Sequence, residues 1–178
     1  MKKQKRNWLL IFIAAVAVLF TGTYAAACFG PNTCGPSDGD MRQYREDCFG
    51  RENVEVLKTA RQGKIRAVLY RNAQWGELDK GFIMIFERRL FGLRWRQTGM
   101  NSFTSGEDKL YSSYAWRQGD CVIEVFGDNR SGAVEAYSMP GIPKVQRDKL
   151  ESDYILDIYL MYTAEPPSRT LQSHLTAN

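Results

Sequence analysis

The spacing of apolar residues along the chain predicts one apolar helix, one short helix and then a series of strands. No charged residue occurs from Trp8 to Ala27, and about twenty such residues are enough to cross a bilayer as a helix. Between Met41 and Gly63, apolar residues recur at three- to four-residue spacing, with Asn53 as a candidate N-cap and Gly63 as a candidate C-cap. This spacing predicts a second, short helix that ends at Gly63.

After Gly63 the pattern changes to alternating apolar and polar positions and to short apolar runs. It predicts strands over residues 65–70, 82–86, 91–96, 110–117, 121–126, 133–138 and 154–162, with a further strand near Val145. No helix between these strands is long enough for a parallel crossover, so we expect antiparallel pairing. The predicted fold class is α+β: an N-terminal hydrophobic helix, one short helix and an antiparallel meander of about six to seven strands. This element order is similar to that of cystatin-like folds.

The same pattern divides the chain into four parts. Residues 1–27 form a signal sequence or membrane anchor, and residues 28–48 form a neck that is rich in Cys, Gly and Pro and is predicted to be a loop. Residues 49–163 form the α+β domain, and residues 164–178 are predicted to be a flexible tail.

Charge is concentrated at the N-terminal end. Of the 24 Lys and Arg residues, four lie within residues 1–27, where there is no Asp or Glu, so residues 28–178 hold 20 basic and 20 acidic side chains. A domain without excess positive charge argues against nucleic acid as a partner. The basic residues before the apolar stretch instead predict a single-pass protein in the cell membrane, with its N-terminus inside and its domain outside.

Two other fates of the leader stay open. Ala25-Ala26-Ala27-Cys28 resembles the lipobox of bacterial lipoproteins, although a Leu is expected where Ala25 stands, and this resemblance implies a lipid on Cys28. Cleavage after the small residues would instead release a secreted domain. With this leader, the chain is similar to small membrane-anchored or lipoprotein-like extracytoplasmic proteins of bacteria.

Four cysteines are candidates for disulfide bonds, because thiols outside the cytoplasm are expected to pair. They are Cys28, Cys34, Cys48 and Cys121, and their order along the chain does not choose among the three pairings. Their wide spacing and the position of the single histidine, His174, do not match a zinc site. We therefore predict no metal-binding residues and no cofactor.

One group of basic residues is a candidate patch for an anion or a partner. It consists of Arg88, Arg89, Arg94 and Arg96. Strand alternation places Arg94 and Arg96 on one face. The alternative is an ordinary solvated strand face whose charges are balanced across the sheet.

Catalytic motifs are few. Gly127-Asp128-Asn129-Arg130 is shared with type I signal peptidases, but the only Ser-Met pair, Ser138-Met139, follows these residues instead of preceding them. The four residues therefore predict a turn. We identify no catalytic residue from the sequence, and enzyme activity is less favoured than binding.

The sequence favours a membrane-attached extracytoplasmic domain that binds a protein or envelope ligand or has a structural role. One alternative is a hydrolase that uses strand carboxylates such as Glu87, Glu124 and Glu135. Another is an inhibitor or immunity-type module. A pocket that gathers two of these three carboxylates would favour the hydrolase.

Overall fold

A computed structural model of the protein describes residues 2–50, 54–72, 80–104, 106, 108–117, 119–139, 147–164 and 176–177. Two α-helices, α1 (Lys2–Phe29) and α2 (Asp38–Phe49), precede most of the strands, and a 3-10 turn spans Leu90–Gly92. The described strands are β1 (Thr33–Cys34), β2 (Val54–Gln62), β3 (Ile65–Asn72), β4 (Lys80–Arg89), β5 (Arg94–Thr104), β6 (Leu110–Arg117), β7 (Asp120–Asp128), β8 (Tyr137–Ser138), β9 (Tyr154–Tyr162) and β10 (Thr176–Ala177).

The strands form two main sheets and one small pair. Five strands pair in the order β1-β5-β4-β3-β2, three pair in the order β6-β7-β9, and β8 pairs with β10. All of these pairings are antiparallel. The predicted α+β class, with an N-terminal helix and antiparallel strands, is confirmed, and the meander is divided between two stacked sheets.

Three apolar clusters hold the layers together. Helix α2 covers one face of the five-stranded sheet, where Met41 and Tyr44 pack with Phe86 and Trp95. The three-stranded sheet covers the other face, and the residues between the two sheets are Ile65, Ala67, Leu69, Ile83, Ile85, Phe103, Phe126, Leu156 and Ile158. The outer face of the three-stranded sheet is covered by the segment that contains Val134, Tyr137 and Met139.

Helix α2 begins and ends earlier than predicted. A capping box starts it: the Asp40 amide donates to Ser37 Oγ at 3.0 Å, and the Ser37 amide donates to Asp40 Oδ2 at 2.9 Å. Gly50, with φ of 57°, ends it in the left-handed conformation. The helix therefore occupies the second part of the neck, so the prediction of loop throughout residues 28–48 is wrong from Asp38 onward.

The prediction of a helix that reaches Gly63 is also wrong, because residues 54–62 form β2. A β-bulge between Val56 and Lys58 interrupts the alternation of this strand. Val54 and Val56 pack on the α2 side, whereas Leu57 and Ala60 pack between the sheets. Because of the bulge, the apolar residues of this strand have the three-residue spacing that is typical of a helix. Gly63, the predicted helix C-cap, lies instead in the β2–β3 turn with φ of 56°.

The predicted strands agree with the structure in most of the sheet. Those over residues 65–70, 82–86, 110–117, 121–126 and 154–162 lie within β3, β4, β6, β7 and β9. Of residues 133–138 only Tyr137–Ser138 is a strand, and residues 91–96 divide between the 3-10 turn and the start of β5. In the predicted tail, Thr176–Ala177 pairs with β8. Val145 and the predicted cap Asn53 lie outside the described residues.

Helix α1 is long and apolar enough over Asn7–Ala26 to cross a membrane, and none of that span is buried against the rest of the protein. Its C-terminal end contacts the domain, where Cys28 is 2% exposed. A tight turn follows: the Thr33 amide donates to the Gly30 carbonyl at 3.1 Å, and the Gln97 amide donates to the Asn32 carbonyl at 2.9 Å. The domain is therefore attached closely to the end of α1.

Candidate binding cleft between the two sheets

A cleft of about 710 Å³ opens between the two sheets at the end where β4 turns into β5. This volume is in the range of small-molecule sites. Its lining comes from both sheets and consists of Lys64, Ile65, Glu87, Arg89, Arg96, Gln97, Thr98, Ala115, Asp120 and Val122. We refer to it as the intersheet cleft.

The register of the strands explains why polar residues collect at this end. Glu87 pairs with Ile65 on one side and with Arg96 on the other, so their side chains share the face that meets the second sheet. On the second sheet, Ala115 lies opposite Val122. Further inward, these same faces carry the apolar residues of the intersheet core, so the cleft is the open, charged end of that core.

The mouth of the cleft carries a network of ion pairs. Glu87 Oε2 accepts a hydrogen bond from Arg89 Nη2 at 2.7 Å, and Glu87 Oε1 lies 3.7 Å from Lys64 Nζ. Arg96 and Asp120 are exposed at the same mouth. The lining residues thus contribute three cationic and two anionic side chains, and a ligand can reach Arg96 without first breaking the Glu87 pairs.

Three polar side chains form a hydrogen-bonded cluster further along the faces between the sheets, beyond the residues that line the cleft. Glu124 is two residues beyond Val122 along β7 and is 4% exposed. Its Oε1 accepts a hydrogen bond from Asn101 Nδ2 at 3.1 Å and another from Ser113 Oγ, and Asn101 Nδ2 also donates to Ser113 Oγ at 2.6 Å. Asn101 comes from the five-stranded sheet, so this trio joins the two sheets. We refer to these residues as the inner trio.

Burial raises the pKa of Glu124 from its ordinary 4.5 to about 7, although the hydrogen bonds from Ser113 and Asn101 oppose the rise. The carboxyl group therefore changes charge near neutral pH, in the space between the two sheets. A group with such a pKa can accept or donate a proton near neutral pH.

The four arginines of the predicted patch are divided among different surroundings. Arg89 and Arg96 line the intersheet cleft. Arg94 points to the end of α1, where its Nε donates to the Cys28 carbonyl at 3.3 Å and its Nη2 donates to Thr33 Oγ1 at 3.1 Å. Arg88 is exposed, and its strand partner is Trp95 on the α2 side. The structure therefore does not bring all four onto one patch.

The strand carboxylates do not converge. Glu87 is at the mouth of the intersheet cleft, Glu124 is buried in the inner trio beyond the residues that line the cleft, and Glu135 is exposed on the segment that covers the outer face of the three-stranded sheet. Only one of the three lines the cleft directly. Glu124 was identified from the sequence, but Asn101 and Ser113 were not. Their role as hydrogen-bond donors to Glu124 depends on the pairing and stacking of the strands.

The four cysteines are free thiols in the structure. Cys34 packs in the cluster beneath α2, and burial raises the pKa of its thiol to about 11, although the nearby Arg94 opposes the rise. Cys121 lies in the cluster on the outer face of the three-stranded sheet. Because packed sheets are about 10 Å apart, a bond from Cys121 to Cys34 would have to cross both sheets. Disulfide formation and lipidation of the buried Cys28 stay predictions.

The Gly-Asp-Asn-Arg stretch ends β7 in a turn. The Asn129 side chain donates to the Val134 carbonyl at 3.1 Å and accepts from the Val134 amide at 2.9 Å, which closes the loop. Asp128 accepts hydrogen bonds from the Arg130 side chain and from the Gly106 amide. Burial raises the pKa of Asp128, but these bonds outweigh it and the pKa is lowered. The predicted turn is confirmed for Asn129 and Arg130, whereas Gly127 and Asp128 belong to β7.

A second hollow, of about 620 Å³, lies between α2 and the start of β2. It is a shallow groove, and Asp38 at its edge already forms an ion pair with Arg66. Within the described residues, no three His, Cys, Asp or Glu side chains come together to hold a metal ion. The intersheet cleft is therefore the stronger candidate site.

Comparison with known proteins identifies no family for this chain, since no protein-family model, curated protein or solved structure matches it.

Proposed function

We propose that the protein is a membrane-attached, extracytoplasmic binding module whose ligand occupies the intersheet cleft. One observation carries this proposal: Asn7–Ala26 of α1 is fully exposed, whereas the domain closes three apolar clusters without it. An apolar helix of this length that packs against nothing in its own protein is suited to a lipid environment. The basic residues at the N-terminus support an orientation with the domain outside.

The cleft supports binding of a small polar ligand that carries an acidic group. Arg96 is exposed at the mouth, and an arginine guanidinium binds carboxylate or phosphate oxygens through two parallel hydrogen bonds. Apolar walls from Ile65 and Val122 complete a surface of the mixed kind found in ligand sites.

Hydrolysis by strand carboxylates receives less support. The pKa of Glu124 would suit a general acid or base at neutral pH. Glycoside hydrolysis, however, needs two carboxyl groups across one substrate bond, and Glu87, Glu124 and Glu135 lie in three different surroundings. An inhibitor or immunity-type role would need a protein partner, and the cleft offers a recess instead of a protruding surface.

The test combines attachment, orientation and binding on the full chain. Alkaline extraction of cell membranes should leave the chain in the pellet, and a C-terminal alkaline phosphatase fusion should be active while a C-terminal fluorescent-protein fusion should be dark. Inorganic phosphate, citrate and N-acetylglutamate are then titrated onto the purified chain in detergent, with thermal unfolding as readout. We expect at least one of the three anions to raise the Tm.

Arg96→Ala should abolish that rise, whereas Arg88→Ala should leave it in place, because Arg88 is exposed and pairs with Trp95 on the α2 side of the five-stranded sheet, away from the cleft. Release of the chain from the membranes at alkaline pH would contradict the proposed anchoring by α1. An anion effect that is equal in both variants, or absent for all three anions, would contradict the assignment of the cleft.

A further inference from the structure

The turn between β4 and β5 lies beside the point where α1 leaves the domain. We define the hairpin tip as residues 88–96, which include the 3-10 turn Leu90–Gly92. Arg94 of the tip donates to the carbonyl of Cys28, and its guanidinium lies 5.1 Å from the centre of the Phe29 ring. The tip is therefore held directly against the last turn of α1.

The length of α1 sets the depth of the hairpin tip relative to a bilayer. The apolar span Asn7–Ala26 has 20 residues, which at about 1.5 Å per residue matches the roughly 30 Å hydrocarbon core. Cys28 then lies about 3 Å beyond the hydrocarbon boundary. The headgroup layer is about 5–8 Å thick on each side, so the Arg94 side chain that reaches the Cys28 carbonyl falls within this layer.

The surface chemistry of the tip fits that layer. Leu93 is 65% exposed and Phe29 is 62% exposed, and few large apolar residues outside α1 are as exposed among the described residues. Residues 88–96 contain four arginines and no acidic residue. Arg88 and Arg96 are exposed, and the neighbouring Glu87 is already paired with Arg89 and Lys64. Exposed apolar side chains flanked by arginines are typical of segments that lie at a membrane interface.

The backbone of the tip is also unusual. Leu90 has φ of 44°, the only positive φ outside glycine among the described residues. A leucine in the left-handed region costs free energy and persists only where its surroundings fix it. Leu90 begins the 3-10 turn that ends at the exposed Leu93.

We propose that the hairpin tip lies in the headgroup layer of the bilayer that α1 crosses. Leu93 and Phe29 enter the interface there, and the exposed Arg88 and Arg96 bind anionic lipid headgroups. This inference rests on the proposed anchoring by α1 and adds a second contact between the domain and the same membrane. Two contacts fix the orientation of the domain. The intersheet cleft then opens on the membrane side, since Arg96 belongs to both the tip and the cleft mouth.

The test uses the full chain reconstituted into vesicles of phosphatidylcholine alone and of phosphatidylcholine with phosphatidylglycerol. In a Cys48→Ser background, which removes the exposed thiol, Leu93→Cys carries an environment-sensitive fluorophore. Ser131→Cys is the matched control, because this exposed residue lies in the turn at the far end of β7. A lipid with a spin label near its headgroup serves as the quencher.

We expect strong quenching and a blue-shifted emission at Leu93→Cys and neither at Ser131→Cys. Each arginine near an anionic surface contributes on the order of a fivefold preference for it. Arg88→Glu should therefore reduce quenching at position 93 in vesicles with phosphatidylglycerol and change it little in phosphatidylcholine alone.

Equal quenching at both positions, in a chain that stays in the vesicles at alkaline pH, would overturn the lipid contact and leave the anchor standing. Quenching at position 93 that is the same with and without phosphatidylglycerol would overturn the proposed binding of anionic headgroups by the arginines. Loss of the chain from the vesicles at alkaline pH would overturn the anchor and the tip contact together.

Discussion

Replacement of Glu124 by glutamine tests whether the inner trio is a titrating element of the fold. The side chain is 4% exposed, and burial raises its pKa from 4.5 to about 7. Glutamine keeps the shape and an oxygen that can accept from Asn101 and Ser113, but it cannot ionise. The substitution therefore separates the charge of the group from its packing.

The sign and size follow from proton linkage. A carboxyl group whose pKa is higher in the folded than in the unfolded protein stabilises the fold below the unfolded value, and this contribution is lost as pH rises through the folded value. A change from 4.5 to about 7 corresponds to roughly 3 kcal/mol in the free energy of unfolding. The wild-type chain should lose about that much from this group between pH 4.5 and pH 7.5.

The assay is urea unfolding of the full chain in detergent at several values of pH, followed by tryptophan fluorescence. Glu124→Gln should resemble wild type at pH 4 and exceed it by up to about 3 kcal/mol at pH 8. Glu135→Gln is the control, since that glutamate is exposed. The single histidine, His174, is present in all three proteins and cancels in the difference. A constant difference between Glu124→Gln and wild type across this range would refute the reasoning.

Two further predictions concern backbone packing and the thiols. A Cβ on Gly127 would lie 2.2 Å from the Lys109 carbonyl oxygen, so Gly127→Ala should lower the free energy of unfolding by about 3 kcal/mol. Gly39→Ala, in helix α2, meets only ordinary contacts and should raise the urea midpoint slightly, because alanine is favoured over glycine in a helix by about 1 kcal/mol. Equal midpoints for the two variants would contradict this prediction. A disulfide-bearing oxidant should link Cys34 to Cys48, which would close a loop of 15 residues and stabilise the fold by about 3 kcal/mol. Peptide mapping would identify which cysteines are linked. A bridge to Cys121 would contradict the arrangement of the layers.

The elements with a simple hydrophobic period could be predicted from the sequence. Strands β3, β4, β6, β7 and β9 each have apolar runs or alternation over most of their length, and these match the structure. Strand β2 could not be predicted, because its bulge moves the apolar positions from one face of the sheet to the other. The start of α2 was missed because the helix begins within a Gly- and Pro-rich stretch, where Ser37 and Asp40 provide a capping box.

The candidate site depends on which strands face each other, and that information is not local. Glu124 is one of several strand glutamates in the sequence, and its burial arises only when β7 is the central strand of a sheet that stacks on another. Asn101 and Ser113 precede it by 23 and 11 residues, respectively, and meet it through two different sheets. Pairing and stacking, not residue type, therefore create the inner trio.

The proposed membrane contact and the proposed binding site share one residue. Arg96 lies on β5 within the hairpin tip, and it also forms part of the cleft mouth. A ligand carboxylate or phosphate at Arg96 and an anionic lipid at the hairpin tip would therefore compete for neighbouring arginines. If both proposals hold, anionic lipid should weaken the binding of small anions to the cleft. That dependence would make the cleft sensitive to the composition of the membrane to which the domain is attached.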